Sequence, residues 1–394
     1  MNVLDVLLIV AAVGFAWSGY RQGFVVGVLS VAGFLGGGLV AVQLLPLVLQ
    51  HVSPGTASSV VAVVVVIVLA SIGQAVTTHY GWQLRNRIGR RRGQVVDAAG
   101  GSVVNVAAML LVAWLIGSAL AGTSLPTVSK EVRTSRVLGG VQEALPPGAP
   151  TWFSDFSSVL ARNGFPQVFN PFENEPITEV QPPDPALAGS VAVATARRSI
   201  VKVVGTAPGC SKTLEGTGFV FAPHRVMTNA HVVGGVREPT VQLGGAGRLY
   251  DATVVLYDWQ RDIAVLDVPR LDAPALDFAG QAGTNDSAVV AGFPENGSFN
   301  VQPARLRGRI QANGPDIYHR GQVVRDVYSV RSLVRQGNSG GPLLTPDGRV
   351  YGVVFAKSLD SPDTGYALTA AEVLPDARQG AAATARVDTQ GCAL

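Results

Sequence analysis

Hydrophobic positions along this chain fall into two contrasting patterns. In the first third, residues 22–84 contain no Asp, Glu, Lys or Arg, and neither do residues 98–129. Because a membrane-spanning helix needs roughly 20 apolar residues, the first run has room for two spans, divided near Pro54, and the second run for one. A further span fits before Arg21. The sequence therefore predicts four transmembrane helices, at about 4–20, 24–49, 58–78 and 97–121.

The first predicted span is short, so a cleaved signal peptide is the competing interpretation. No basic segment precedes it, no A-x-A-like site follows it, and the next segment is itself apolar, so we favour a span. Arg21 follows the first span, and Arg85, Arg87 and Arg90–Arg92 crowd the loop after the third. Because arginine-rich loops stay in the cytoplasm, both chain ends are predicted to lie outside the cytoplasm. The chain itself is predicted to lie in the cell (inner) membrane.

The pattern changes to short β-rich runs, separated by Gly, Pro, Asn and Asp turn signals, between Ser199 and Leu368. Many short strands of this kind predict a sandwich or barrel. Residues 122–190 connect the two patterns and are rich in proline, which favours an extended linker. Short helices are predicted within the linker at Val132–Ala144 and Phe153–Asn163, and one at Ala370–Arg378.

Composition agrees with a membrane protein that carries a water-exposed domain. The 394 residues are 47% hydrophobic with a mean hydropathy of +0.31, which is too apolar for a purely soluble chain. The formal charge is only +3, and the basic residues form no stripe interleaved with aromatics, so no nucleic-acid partner is predicted. No cofactor and no metal site are predicted either.

Three motifs carry candidate chemistry. Ser339 lies in Gly-Asn-Ser-Gly-Gly-Pro-Leu, His231 in Thr-Asn-Ala-His-Val-Val, and Asp262 in Arg-Asp-Ile-Ala-Val-Leu. A serine on a glycine-rich turn suits a nucleophile that approaches a carbonyl closely. It needs a histidine base and a carboxylate that orients the histidine. The chain order His, Asp, Ser is that of the chymotrypsin class.

These motifs resemble the trypsin/chymotrypsin-fold serine proteases, the bacterial HtrA-like branch most closely. The resemblance implies two packed six-stranded barrels, with the backbone N–H groups of Gly337 and Ser339 as oxyanion hole. It also implies a primary substrate pocket near the nucleophile and on the following strand. Because no carboxylate lies six residues before Ser339, an apolar side chain is expected before the scissile bond. The pocket residues implied are Leu333, Arg335, Gln336, Val354 and Phe355.

The first 125 residues resemble the CvpA family of bacterial membrane proteins, through the Trp17–Gly23 turn and the glycines between Gly33 and Gly38. The whole chain resembles the MarP-type membrane-anchored periplasmic serine proteases of actinobacteria. This implies cleavage of cell-envelope proteins and a role in tolerating acid and oxidative stress. The expected domains are a membrane domain (1–125), a linker (126–190) and a protease domain (191–394). The fold class is an all-α four-helix transmembrane domain followed by an all-β chymotrypsin-like double β-barrel.

The only two cysteines, Cys210 and Cys392, both lie in the part predicted to be outside the cytoplasm. We expect a disulfide between them, because that compartment is oxidising; two buried free thiols are the alternative. No PDZ-like domain is expected after the protease domain, unlike in most HtrA-like proteins. Self-cleavage within 122–190 is a further hypothesis, because a long linker lies beside a protease.

Less specific interpretations compete with this one. Each triad candidate taken singly could be an ordinary turn, core or capping residue, but all three together are hard to explain in that way. One rival function is a membrane scaffold or stress sensor whose protease-like domain binds peptides without turnover. Another is a small channel or transporter formed by the four helices, which the scarcity of ionisable groups in the spans argues against.

Overall fold

A computed structural model describes residues 1–49, 56–87, 91–121, 131–146, 166–169, 175–210 and 212–393. They separate into two compact units. The first unit holds Met1–Gly117 and Ser135–Ala144, and the second holds Ser118–Thr134 and Leu145–Leu394. The helix predicted at Phe153–Asn163 lies outside the described residues.

The first unit contains four long apolar helices. Each is long and apolar enough to cross a membrane, which agrees with the four predicted spans. A fifth, nine-residue helix follows after the fourth. The helices are α1 (Val3–Gln22), α2 (Phe24–Leu49), α3 (Thr56–Arg85), α4 (Arg91–Ala121) and α5 (Arg136–Ala144).

Glycines set the close approach of these helices. A Cβ added to Gly73 of α3 would lie 2.3 Å from the carbonyl oxygen of Gly33 in α2, and one added to Gly101 of α4 would lie 2.2 Å from that of Gly19 in α1. Helices in lipid gain stability from such backbone contact, because the apolar solvent gives them little hydrophobic drive to associate. The glycine-rich pattern of this segment thus has a packing role.

Two carboxylates tie the ends of this unit together. Asp97 pairs with Arg85 at 2.9 Å and accepts the backbone N–H of Val25 at 3.0 Å. Asp5 is fully buried near the start of α1. It accepts hydrogen bonds from the Ser135 hydroxyl at 2.6 Å and the Val137 N–H at 3.1 Å, at the first residues of α5. A carboxylate at a helix N-terminus satisfies N–H groups that the helix itself leaves unpaired.

The second unit is β-rich, as predicted. Its thirteen strands within the described residues form one seven-stranded sheet and one closed six-stranded barrel. The sheet has the order β5-β4-β1-β2-β3-β7-β6 and the barrel the order β10-β13-β12-β11-β8-β9. The sheet contains β1 (Ile200–Ala207), β2 (Lys212–Ala222), β3 (Arg225–Thr228), β4 (Thr240–Leu243), β5 (Leu249–Asp251), β6 (Thr253–Asp258) and β7 (Ile263–Asp267). The barrel contains β8 (Ser287–Gly292), β9 (Asn300–Pro315), β10 (Gln322–Arg331), β11 (Pro342–Leu344), β12 (Val350–Lys357) and β13 (Thr364–Thr369).

The fold class is therefore the predicted one, with one difference in strand count. The first barrel was expected to have six strands, whereas the sheet has seven because the three-residue β5 pairs with β4 and extends its edge. Within the described residues, the sheets are accompanied by the helices α6 (Val191–Ala196), α7 (Ala230–Val233) and α8 (Ala370–Ala382). The one predicted at Ala370–Arg378 is thus present and runs four residues further.

The later described parts of the proline-rich linker, residues 166–169 and 175–184, form no helix or strand, yet they pack onto the barrel. Phe169 is buried edge-on against Tyr366, with ring centroids 5.4 Å apart. The Glu175 carboxylate accepts hydrogen bonds from the Ser358 and Tyr366 hydroxyls and lies 3.4 Å from the guanidinium of Arg133. Extended chain can therefore cover the barrel without regular structure, because side chains rather than a ladder fix it.

Candidate active site

Strand register brings His231 and Asp262 together. β3 and β7 run antiparallel, and Thr228 at the end of β3 is paired with Ala264 near the start of β7. His231 lies three residues beyond Thr228, in α7, and Asp262 lies two residues before Ala264. The two side chains therefore emerge at the same end of the strand pair.

The contact between these two residues is close and doubly fixed. The Nδ1 atom of His231 lies 2.7 Å from one carboxylate oxygen of Asp262, and the His231 backbone N–H donates to the other oxygen at 2.9 Å. Asn229 donates its side-chain amide to the Asp262 carbonyl at 2.8 Å. Asp262 adopts a left-handed backbone conformation, with φ of +67°. Such strain persists only where surrounding contacts hold it, and it clusters at functional sites.

Ser339 lies on a tight turn between two glycines of positive φ, Gly337 at +91° and Gly340 at +82°. A Cβ added to Gly340 would lie 2.1 Å from the carbonyl oxygen of Thr217 and 3.0 Å from the backbone nitrogen of Asn229. The turn thus packs against the segment that leads into His231. Among the described residues, the Ser339 hydroxyl makes no hydrogen bond to the imidazole. Nucleophile–base hydrogen bonds are often long without substrate.

The backbone N–H groups of Gly337 and Ser339 are both without a hydrogen-bond acceptor in the part of the chain that the structure describes. The Gln336 carbonyl accepts the N–H of Glu295 at 2.7 Å. The N–H of a trans peptide points away from its carbonyl. This bond therefore directs the Gly337 N–H to the opposite side of the turn. Two unpaired donors on a nucleophile turn are suited to bind a developing oxyanion.

The predicted pocket residues divide into two groups. Leu333 is 48% exposed and Gln336 is also exposed, whereas Arg335 is half-buried and donates to Asn300 at 3.2 Å. Val354 and Phe355 are fully buried in the barrel core. Val354 meets the nucleophile turn through its backbone instead. Its carbonyl accepts the Gly340 N–H at 2.8 Å and its N–H donates to Gly341 at 2.9 Å.

A buried arginine on the barrel supports the loop that carries Asp262. Arg325 of β10 is 1% exposed and donates to the Gln260 carbonyl at 2.9 and 2.6 Å. Burial lowers the pKa of this guanidinium, while the Asp262 charge acts in the opposite direction. The contact fixes the backbone two residues before Asp262.

A tyrosine pair joins the same loop to the end of the chain. The hydroxyls of Tyr257 and Tyr318 are 2.6 Å apart, and burial raises the pKa of both. The Tyr318 hydroxyl also donates to the Gly391 carbonyl at 2.9 Å. Cys392 follows Gly391, but the side chain of Cys210 lies outside the described residues, so the predicted disulfide stays a prediction.

Sequence reasoning missed several residues that shape the site. Asn229 and Thr217 stand inside or near the recognised motifs, and a buried polar residue beside a catalytic motif is the signal that could have identified them. Arg325 and Glu295 come from distant strands and loops, and nothing in their local sequence distinguishes them from surface residues.

Comparison with known families matches the two parts of the chain to two different families. Residues 4–146 match the Colicin V production protein family, and residues 216–353 match the trypsin-like peptidase domain. The serine protease Rv3671c of Mycobacterium tuberculosis is 40% identical over 377 residues, which are 94% of each chain.

Two further similarities concern the second unit. The crystal structure of the Rv3671c protease in its active form superposes with a TM-score of 0.55 at 46% identity, covering 58% of this chain and all of that one. A probable periplasmic DegP-like serine endoprotease of Chlamydia pneumoniae is 34% identical over 149 residues, 37% of this chain and 29% of that protein.

Proposed function

This chain belongs to the family of serine proteases that includes Rv3671c, with a Colicin V production-type membrane domain and a trypsin-like peptidase domain, and we propose that it cleaves proteins of the cell envelope through a Ser-His-Asp acyl-enzyme mechanism. It is a serine protease with four helices suited to a bilayer. The observation that carries the proposed mechanism is the fixed His231–Asp262 pair at 2.7 Å beside the Ser339 turn.

In the proposed reaction, Ser339 attacks a peptide carbonyl while the Nε2 atom of His231 takes its proton. His231 then gives this proton to the leaving amine. Asp262 holds the Nδ1–H tautomer and stabilises the imidazolium. Because Asp262 is fully buried and also accepts the His231 backbone N–H, it fixes the ring and its backbone together.

The Gly337 and Ser339 N–H groups are proposed to bind the oxyanion of the tetrahedral intermediate. Their lack of other acceptors within the described residues and the φ of +91° at Gly337 support this role. Leu333, Arg335 and Gln336 are proposed to contact the residue before the scissile bond. Among these, the exposed Leu333 favours an apolar substrate side chain. Val354 and Phe355, whose side chains are buried, are proposed to shape this pocket from behind, Val354 by holding Gly340 and Gly341 of the nucleophile turn through its backbone.

The proposed location of the protease domain is outside the cytoplasm, with the chain in the inner membrane. The arginines that follow the first and third spans support it, because such residues stay on the cytoplasmic side. We propose domain limits of 1–125, 126–190 and 191–394, and self-cleavage within 122–190. The stress role rests on the family resemblance.

A disulfide between Cys210 and Cys392 is proposed to hold the end of the chain on the protease unit. The C-terminal segment already docks there, because the Gly235 N–H donates to the Thr389 carbonyl at 3.1 Å. By the chain-entropy model, closing so long a loop contributes roughly 5 kcal/mol.

The test is labelling of the full chain in detergent with a fluorophosphonate probe, beside its Ser339→Ala variant, with and without reductant. We expect labelling of the parent alone. A drop on reduction would support the disulfide as a control element. Labelling that persists in Ser339→Ala would place the nucleophile elsewhere. A folded parent that stays unlabelled would favour peptide binding without turnover.

A further inference from the structure

Thr217 of β2 is buried and connects the first sheet to the nucleophile turn by hydrogen bonds. Its side chain has no exposed surface. Its hydroxyl donates to the Gly337 carbonyl at 2.7 Å and accepts the Phe293 N–H at 3.0 Å. Its own N–H donates to the Ser339 carbonyl at 2.8 Å. One residue of the first sheet thus contacts both oxyanion-hole residues of the barrel.

The two hydrogen-bond partners of the Thr217 hydroxyl lie on either side of the peptide that carries the proposed oxyanion-hole donor. One side is the Gly337 carbonyl. The other is the loop that begins at Phe293, and two residues later the Glu295 N–H of this loop holds the Gln336 carbonyl at 2.7 Å. The peptide unit from Gln336 to Gly337, whose N–H is the proposed donor, is therefore held from both neighbouring segments.

Close packing leaves the segments around this peptide little room to move. A Cβ added to Gly337 would lie 2.4 Å from the Phe293 carbonyl oxygen, and one added to Gly292 would lie 2.6 Å from the Thr217 hydroxyl. Glu295 itself adopts a φ of +56°, which a non-glycine residue rarely adopts unless contacts impose it. The bond from Thr217 to Phe293 holds the start of the loop that contains this strained residue.

We propose that Thr217 is a positioning residue of the oxyanion hole, whose hydroxyl fixes the Gly337 N–H by joining the Gly337 carbonyl to the Phe293 N–H. This inference rests on the proposed function, since it presumes that Gly337 donates to an oxyanion. Without the hydroxyl, a buried carbonyl and a buried N–H lose their partner, and the turn must move to satisfy them. The nucleophile Ser339 stays in place through the Thr217 backbone.

The size of the effect follows from the geometry. Removing one oxyanion-hole donor typically lowers kcat by about 10²–10³-fold. Loss of the Thr217 hydroxyl misaligns the Gly337 N–H without removing it, so we expect kcat to fall by about tenfold to a hundredfold. KM should stay within about twofold of the parent, because the ground-state carbonyl depends less on the hole than the tetrahedral intermediate does.

The experiment uses the full chain in detergent micelles and a quenched-fluorescent peptide that the parent cleaves. Thr217→Ala and Thr217→Ser differ by the hydroxyl alone, and Thr217→Val keeps the shape without it. Thr345→Val is the matched control, because Thr345 is a buried threonine whose hydroxyl accepts the Arg349 N–H at 2.9 Å in the β11–β12 turn.

We expect kcat to fall in Thr217→Ala and Thr217→Val, to recover within about threefold of the parent in Thr217→Ser, and to stay unchanged in Thr345→Val. The Ala and Ser pair carries the test if the Val variant does not fold. Equal losses in the Ala and Ser variants, or an unchanged kcat in Thr217→Ala, would overturn the inference and leave the proposed function intact. A folded parent with no turnover and no fluorophosphonate labelling would overturn both.

Discussion

Two fully buried carboxylates, one in each unit, have different roles. Asp5 of the membrane unit accepts hydrogen bonds from a hydroxyl and backbone N–H groups at the start of α5. Asp262 of the protease unit accepts one backbone N–H, and its second oxygen faces the imidazole of His231. Both are completely shielded from solvent, so burial does not distinguish them.

The difference lies in what the partner can do. Hydroxyl and amide donors around Asp5 do not titrate near neutral pH, so they can only satisfy the charge and cap a helix. An imidazole can take up and release a proton, so the same charge beside it stabilises a reaction intermediate. A buried acid indicates chemistry only when its partner can exchange a proton.

Exchanging the Asp262 carboxylate for an amide is the change that tests this contrast most strongly. Asp262→Asn should lower kcat about 10⁴-fold, because the amide stabilises the wrong imidazole tautomer. Asp5→Asn should leave kcat of the full chain within about twofold. The measurement is kcat for peptide cleavage by each variant, with its fold checked by circular dichroism. A comparable loss in both variants would mean that the two carboxylates do not differ in kind.

A third buried acid, Asp376 of α8, adds a case in which the neighbours are mostly other acids. Burial and then the charge of Asp258 raise its pKa to about 6. Arg261, with its NH1 nitrogen 3.2 Å away, acts in the opposite direction. Because the folded-state pKa lies above the unfolded value, the folded chain binds the extra proton between about pH 4 and 6. The free energy of unfolding therefore falls as pH rises through this range.

Thermal or urea unfolding of the parent and of Asp376→Asn at pH 4 and pH 7 measures this effect. The ratio of the folding equilibrium constants of the parent and the variant should decrease from pH 4 to pH 7 by up to about a hundredfold. Asp347→Asn is the control of opposite sign, since the Thr345 hydroxyl and then Arg349 lower the pKa of Asp347. A difference that is constant with pH would show that Asp376 ionises normally.

The smallest expected effect is local and belongs to Asp5. Asp5→Ala removes the acceptor for the first N–H groups of α5, and loss of a helix cap typically costs about 1 kcal/mol. Hydrogen exchange at Val137 should accelerate by about fivefold to tenfold. Exchange in the protease unit should not change. Ser135→Ala removes a hydroxyl that donates to Asp5 and accepts the Leu138 N–H at 3.2 Å, so it should accelerate exchange at Leu138. An unchanged rate at Val137 in Asp5→Ala would remove the capping role of Asp5.

How much of this was predictable depends on the range of the interaction. The four spans and the strands around His231 and Ser339 follow from runs of apolar residues and from motifs a few residues long. Thr217 and Arg325 act on residues 120 and 65 positions away, and no local pattern encodes such distances. The proline-rich linker was expected to stay extended and rarely pack. It forms helix α5 at Arg136–Ala144 and has no helix or strand at 166–169 and 175–184, where Phe169 is nevertheless buried against the barrel.

The bonds of Asp5 have a consequence for how the protein is made. Asp5 is among the first residues synthesised, and its hydroxyl partner Ser135 lies 130 positions later. Until that segment has been translated and delivered to the same side of the bilayer, the carboxylate lacks the donors of α5, which it needs when buried. The Asp5–Ser135 bond can therefore form only after α4 has been made, so it joins the first residues of the membrane unit to the last ones to be completed.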